Sequence, residues 1–154
     1  MKIIPASPKH LPAVWQLIRD LAIYEKAENE FEVSEEQLHD DVFGEQAIAH
    51  VLVAELNAQV VGFALYYIKY STWKGKSLYL EDFLVQEHHR KKGIGAAIFR
   101  AVMEEAKLMN AGRMEWQVLD WNEPAIAFYK KMGADLDGEW LNGKFTREQL
   151  QELV

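Results

Sequence analysis

Residues 90–96 read Arg90, Lys91, Lys92, Gly93, Ile94, Gly95, Ala96, three cations followed by small residues, and an apolar-periodic segment begins directly after them. Glycine lets backbone N–H groups come close to a ligand. A helix N-terminus adds about half a positive elementary charge and several N–H donors without intrahelical partners. A pyrophosphate suits that combination; the plainer reading of the two glycines is a tight strand-to-helix turn. Two phosphate loops do not fit. A magnesium-nucleotide loop needs Gly-Lys-Ser/Thr, whereas Gly95 is followed by Ala96 and Ala97. A dinucleotide fingerprint needs a third glycine where the chain has Ile98.

Just upstream, Glu81 and Asp82 stand side by side in a strand-like run ending Phe83, Leu84, Val85. Paired carboxylates can bind a cation or accept a proton. In a regular strand consecutive side chains point to opposite faces, so both line one cleft only if a bulge intervenes. Charge is also segregated. Nine carboxylates and one lysine lie between Glu25 and Glu45, while His88, His89, Arg90, Lys91 and Lys92 form a basic run. One end suits a cation and the other an anion, although an acidic run also serves simply to solvate a surface.

The net charge of -7 argues against a nucleic-acid partner, which would require a basic face. With no cysteine there is no disulfide, thiol nucleophile or Cys-ligated zinc. The five histidines show no metal-ligand spacing. No apolar run approaches the length needed to span a bilayer, and the N-terminus lacks a signal-peptide core. These features lead us to expect a cytoplasmic enzyme with no metal and no membrane partner. A length of 154 residues suits one domain, 1–154.

The elements that must position these groups follow from periodicity. Residues 2–6 read as a strand. Leu11, Val14, Trp15, Ile18, Leu21 and Ala22 give one face of a helix. Ser34 and Gln37 have capping-box spacing for a second helix toward Phe43, with Gly44 to end it. Residues 48–56 and 59–70 suggest an antiparallel hairpin around Asn57 and Ala58, and a further strand ends at Val85. Ile94, Ile98, Val102 and Ala106 step by four along a third helix that Gly112 closes. A strand over 113–119, a helix over 124–132 capped by Gly133, a last strand over 140–146 and a small amphipathic tail complete the series. The fold class is α/β, a twisted mixed sheet flanked by helices.

The loop Arg90-x-x-Gly93-x-Gly95 resembles the acetyl-CoA loop of the GCN5-related N-acetyltransferase (GNAT) superfamily. Residues 78–85 (Leu-Tyr-Leu-Glu-Asp-Phe-Leu-Val), 121–129 (Trp-Asn-Glu-Pro-Ala-Ile-Ala-Phe-Tyr) and 21–25 (Leu-Ala-Ile-Tyr-Glu) resemble its diamine (spermidine/spermine) branch, in the expected order. The resemblance implies the GNAT fold, with a mostly antiparallel sheet and a splay between two central strands that receives acetyl-CoA. It also implies direct acetyl transfer in a ternary complex to a small cationic amine (a diamine, polyamine or lysine-like compound), and a homodimer with the tail after Phe145 as an exchange arm. An enzyme for thialysine or an aminoglycoside-type amine, and a non-catalytic acyl-CoA sensor, remain alternatives.

By the same resemblance Tyr129 protonates the departing thiolate and Glu81 assists deprotonation of the amine. Phe83, Leu84, Val85, Arg90, Lys91, Lys92, Gly93, Ile94, Gly95 and Ala96 hold the acyl-CoA, together with Asn122, Ala125, Phe128 and Tyr129. Backbone N–H groups near Leu84 and Val85 would polarise the thioester carbonyl if a strand irregularity leaves one unpaired. Tyr24, Glu25, Trp73, Glu81 and Asp82 match the branch's amine pocket, and Glu139 offers a distal carboxylate. The chain departs from the branch at Ser71, where an aspartate is expected, and at Met132, where an arginine is expected. The first departure weakens the case for spermine or spermidine themselves.

Overall fold

The computed structural model describes residues 1–152, and the described residues fall into two compact units that divide between Gln117 and Val118. The first holds β1 (Lys2–Pro5), α1 (Leu11–Tyr24), α2 (Glu35–Phe43), β2 (His50–Leu56), β3 (Gln59–Ser71), β4 (Gly75–Val85), α3 (Ile94–Leu108) and β5 (Met114–Glu115). The second holds α4 (Glu123–Lys131) and α5 (Arg147–Glu152).

The five strands of the first unit lie in sequence order, β1-β2-β3-β4-β5. Each neighbouring pair is antiparallel except β4 and β5, which run parallel. That last ladder contains only Leu78 with Met114 and Tyr79 with Glu115. Beyond Tyr79, therefore, β4 has a strand partner among the described residues on its β3 edge alone. The expected strand over 113–119 shrinks to these two residues, because pairing with β4 stops after Glu115.

Amphipathic helices cover the two faces. Leu11, Val14 and Leu17 of α1 and Leu38 of α2 pack with Val51, Val53 and Phe63, and Leu65 and Leu84 join them. These strand positions share one face by two-residue alternation. Gly62 faces the other way, where a Cβ would come within 2.9 Å of Ile98 Cδ1 in α3 and 2.8 Å of the Leu84 carbonyl oxygen. Phe99 of α3 contacts Phe83 and Trp116, with ring centroids 5.9 and 5.2 Å apart. Burying each such aliphatic or aromatic side chain contributes about 1.5–3 kcal/mol.

The turn chemistry differs in detail from the sequence reading. Asn57 and Ala58 both take left-handed φ values, 50° and 61°. They make the primed turn whose twist suits a tight hairpin, with an alanine where glycine is usual. Ser34 Oγ accepts from Gln37 N at 3.0 Å, but the Gln37 side-chain amide donates to Asp41 and does not accept from the Ser34 backbone N–H. Gly44 is extended (φ -70°, ψ 173°), not a left-handed cap. A Cβ there would lie 2.5 Å from the Asp40 carbonyl oxygen. Helix α3 ends at Leu108, and the left-handed residue behind it is Asn110 (φ 53°), not Gly112.

In the second unit Asn122 Oδ1 accepts from Ala125 N at 3.4 Å and caps α4, which Gly133 (φ 85°) terminates. Thr146 and Gln149 exchange two hydrogen bonds at the start of α5. The last strand expected over 140–146 does not form. Trp140, Leu141 and Phe145 are exposed, and no described strand lies in this unit to pair with the segment. An extended segment becomes a strand only when a neighbour satisfies its backbone groups, whatever its own residue pattern.

Candidate active site

The pairing of β3 with β4 breaks register once. Leu65 pairs with Asp82, but the next residue, Tyr66, pairs with Leu80, so Glu81 is an extra residue in β4. This is a β-bulge. Cross-strand partners share a face, and so do residues two apart along one strand. Tyr67 pairs with Tyr79 and Leu65 with Asp82; Tyr79 and Asp82 therefore face the same way although three residues separate them. The Glu81 carboxylate accepts a hydrogen bond from the Tyr67 hydroxyl, which brings Glu81 to that face as well. The bulge gives one face what regular alternation would divide between two.

Electrostatics follow from this crowding. Burial pushes the Asp82 carboxyl up to about 7, and the neighbouring Glu81 and Glu25 carboxylates add to the effect. Burial also raises Glu81, against which the Tyr67 hydrogen bond pulls it down. Glu25, at the C-terminal cap of α1, is raised by burial too. Tyr79 is pushed up to about 12, first by burial and then by the charge of Glu81. A carboxyl titrating near neutrality beside two others can take up a proton and also attract an ammonium group.

The basic loop lies between β4 and α3. Gly93 is the N-cap of α3 with φ 79°, and among the described residues no side chain caps this helix. A Cβ on Gly93 would meet nothing within 4 Å, so backbone conformation rather than space calls for glycine. The first turn of α3 thus presents backbone donors beside Lys91 and Lys92, both exposed. Arg90 is partly committed elsewhere: its Nε donates to the Val85 carbonyl at 2.9 Å, and its guanidinium lies 6.0 Å from the centre of the Tyr24 ring. It fastens the loop to the end of β4. These features fit a diphosphate at the start of α3.

Comparison with known proteins agrees with this geometry. The Acetyltransferase (GNAT) family matches residues 15–134. The chain belongs to that family. This acetyltransferase is 41% identical to the thialysine N-epsilon-acetyltransferase of Bos taurus, over 92% of its own length and 89% of the relative's. It is 36% identical to spermidine/spermine N(1)-acetyltransferase-like protein 1 of Homo sapiens, over 93% of its length but 22% of that larger protein. Among solved structures it resembles an integron cassette protein from the mobile metagenome of V. cholerae, with a TM-score of 0.80 at 27% identity, covering 99% and 96% of the two chains. It is an N-acetyltransferase of the family's mixed α/β fold.

The remaining site candidates of this acetyltransferase fall in several places. In the first unit Tyr24 ends α1 beside Glu25, and Glu25 acts electrostatically on Asp82. Trp73 stands exposed at the β3–β4 turn, about 20 Å along β4 from Glu81 at about 3.3 Å per residue. Ser71 holds that turn, its Oγ accepting from Trp73 N at 3.2 Å and Lys74 N at 3.1 Å. In the second unit Tyr129 is buried in α4 with its ring edge-on to Phe128, Asn122 and Ala125 form the cap, and Glu139 is exposed. Sequence reading missed Tyr67 and Tyr79. Their alternation with Lys69 and Glu81 was visible, but only the bulge shows that the two tyrosines flank the carboxylates.

Proposed function

We propose that this N-acetyltransferase moves the acetyl group of acetyl-CoA to a small primary amine (a diamine, polyamine or lysine-like compound) by direct attack in a ternary complex, with residues 1–154 working as one catalytic domain. The observation that carries the reading is the bulge at Glu81, which aims two carboxylates at one face beside the uncovered edge of β4. An alkylammonium with a pKa near 10.4 costs about 4–5 kcal/mol to deprotonate at pH 7. Glu81 and Asp82 first attract the cation. Glu81, held by Tyr67, then accepts its proton directly or through water.

Acetyl-CoA supplies an activated thioester. The α3 N-terminus with Lys91, Lys92, Gly93, Ile94, Gly95 and Ala96 holds its phosphates, Arg90 anchors that loop, and Phe83, Leu84 and Val85 line the pantetheine arm. The attack needs a backbone donor at the carbonyl oxygen, and the β4 edge near Leu84 and Val85 is our candidate. Tyr129 protonates the departing thiolate, with Asn122, Ala125 and Phe128 shaping its surroundings; this role rests on the family resemblance. Tyr24, Glu25, Asp82 and Glu139 are the candidate amine ligands, and Trp73, about 20 Å along β4 from Glu81, is a candidate only for the far end of a long polyamine. The resemblance also supports a cytoplasmic homodimer, which sedimentation of the purified protein tests.

The decisive assay is thiol release from acetyl-CoA with spermidine, putrescine, thialysine, lysine and an aminoglycoside. Release that depends on one of these amines supports the reading. Saturable acetyl-CoA binding without release on any of them would make the chain a sensor or direct it to another acceptor.

A further inference from the structure

On the same face as the carboxylates, the sheet carries a second cluster of opposite balance. Lys69 lies two residues beyond Tyr67 in β3, a rise of about 7 Å toward the Trp73 turn. Its Nζ is 3.3 Å from Glu115 Oε1 and 5.4 Å from the centre of the Tyr79 ring. Arg113 Nε is 3.0 Å from the other oxygen, Glu115 Oε2. Two cations therefore share one carboxylate, which leaves a positive charge over. The Lys69, Arg113 and Glu115 side chains are each 25–40% exposed, so the cluster is reachable yet partly shielded from water.

Between this cluster and Glu81 lie the Tyr67 and Tyr79 rings, with centroids 5.2 Å apart. The face thus reads, in order, carboxylates, two aromatic rings and a net positive end. A molecule laid along it with an ammonium at Glu81 and Asp82 would bring its far end to Lys69. For a plain diamine that end is a second ammonium, and the approach is repulsive. For a lysine-like amino acid it is a carboxylate, about 7 Å from the terminal nitrogen when the chain is extended through bonds of about 1.5 Å.

We propose that Lys69 receives a carboxylate of the substrate, so that this enzyme selects ω-amino acids over diamines of the same chain length. The inference rests on the acetyltransferase reading above and narrows its substrate class. Ser71, where the branch expects an aspartate, is consistent with it, because its hydroxyl is engaged in the turn and adds no negative charge at that end. Glu115 and Arg113 act as positioning residues: Glu115 holds the ammonium over Tyr79, and Arg113 offsets the charge of Glu115.

The test compares lysine with cadaverine, which differ only by the carboxylate, through thiol release from acetyl-CoA by the full chain. The parent enzyme is expected to favour lysine. Lys69→Gln should lower the lysine-to-cadaverine ratio of kcat/KM at least tenfold, mainly through a higher KM for lysine, and Lys69→Glu should reverse the preference. Lys69→Arg should keep it. Because both substrates are measured on the same preparation, a Lys69 that merely ties β3 to β5 would change the two in parallel. A ratio that stays within twofold in Lys69→Gln and Lys69→Glu, or a parent that prefers cadaverine, overturns the proposal. A parent that releases thiol with neither amine nor any other in the panel overturns the acetyltransferase reading itself, and the proposal with it.

Discussion

Glu81 and Asp82, consecutive in β4, turn their carboxylates to the same face of the sheet. The register break sets Asp82 on the face of Tyr79, since Leu65 faces Asp82 while Tyr66 faces Leu80, and the Tyr67 hydroxyl holds Glu81 there as well. The two charges repel, burial weakens their solvation, and the Tyr67 hydroxyl relieves only Glu81. Functional groups held in such a conflict tend to lower stability while preparing a site for an opposite charge.

Asp82 should therefore show its burden in the pH dependence of stability. Its carboxyl titrates at about 7 when folded, against an ordinary value of 3.8. Between those values the folded state keeps a proton that the unfolded state releases, so stability falls as pH rises through this window and levels off above it. Asp82→Asn removes that dependence. We expect a melting temperature raised by on the order of 5 °C at pH 8 and by much less at pH 4.5, the full penalty being at most about 4 kcal/mol. Equal shifts at both pH values would show that Asp82 is not a strained carboxyl.

Glu81 is the base of the proposed reaction, and it must be ionised to accept the proton. Glu81→Gln should lower kcat/KM about a hundredfold, the usual scale for losing a general base, and remove the acid limb of the pH profile. Tyr67→Phe is the finer probe. The Tyr67 hydrogen bond lowers the Glu81 pKa, so its loss should move the acid limb to higher pH with activity retained on the alkaline side. A limb that stays in place would assign the deprotonation to another group.

Tyr129→Phe tests the acid. Turnover should fall at least about tenfold with little change in acetyl-CoA affinity, since the phenyl ring keeps the packing and loses only the transferable proton. Unchanged turnover would leave Tyr129 as a packing residue of α4.

The two loop glycines should respond in opposite directions. Gly93 has φ 79°, so Gly93→Ala should destabilise the fold by about 1 kcal/mol and weaken acetyl-CoA binding. Gly95 lies in the first turn of α3, where a Cβ would make ordinary 3.7 Å contacts with Phe83 and Val85. Gly95→Ala should stabilise by about 0.5 kcal/mol through helix propensity. Denaturant melts with and without acetyl-CoA read both effects, and a stable Gly93→Ala protein would contradict the conformational account.

Much of the framework was legible beforehand because periodicity reports local geometry. The four-residue steps from Ile94 to Ala106 gave α3, Ser34 gave the start of α2, and the linked motifs around Arg90, Glu81 and Trp121 gave the family. The strand over 140–146 was misread for a matching reason. Alternating residues can show that a segment would fit a sheet, but not that a partner strand is there to complete it.

The sequence by itself determined the family, the basic loop at a helix start and the presence of two adjacent carboxylates, all properties of residue type and short spacing. Only the tertiary structure decided that both carboxylates share a face, that β5 parts from β4 after Tyr79, and that Lys69 stands with Arg113 and Glu115 at the far end of that face. Those outcomes depend on register between strands as much as 46 residues apart in the chain, as Lys69 and Glu115 are. Displacing one residue in a ladder turns every later side chain to the opposite face, and nothing in the local pattern of β4 records where that displacement falls.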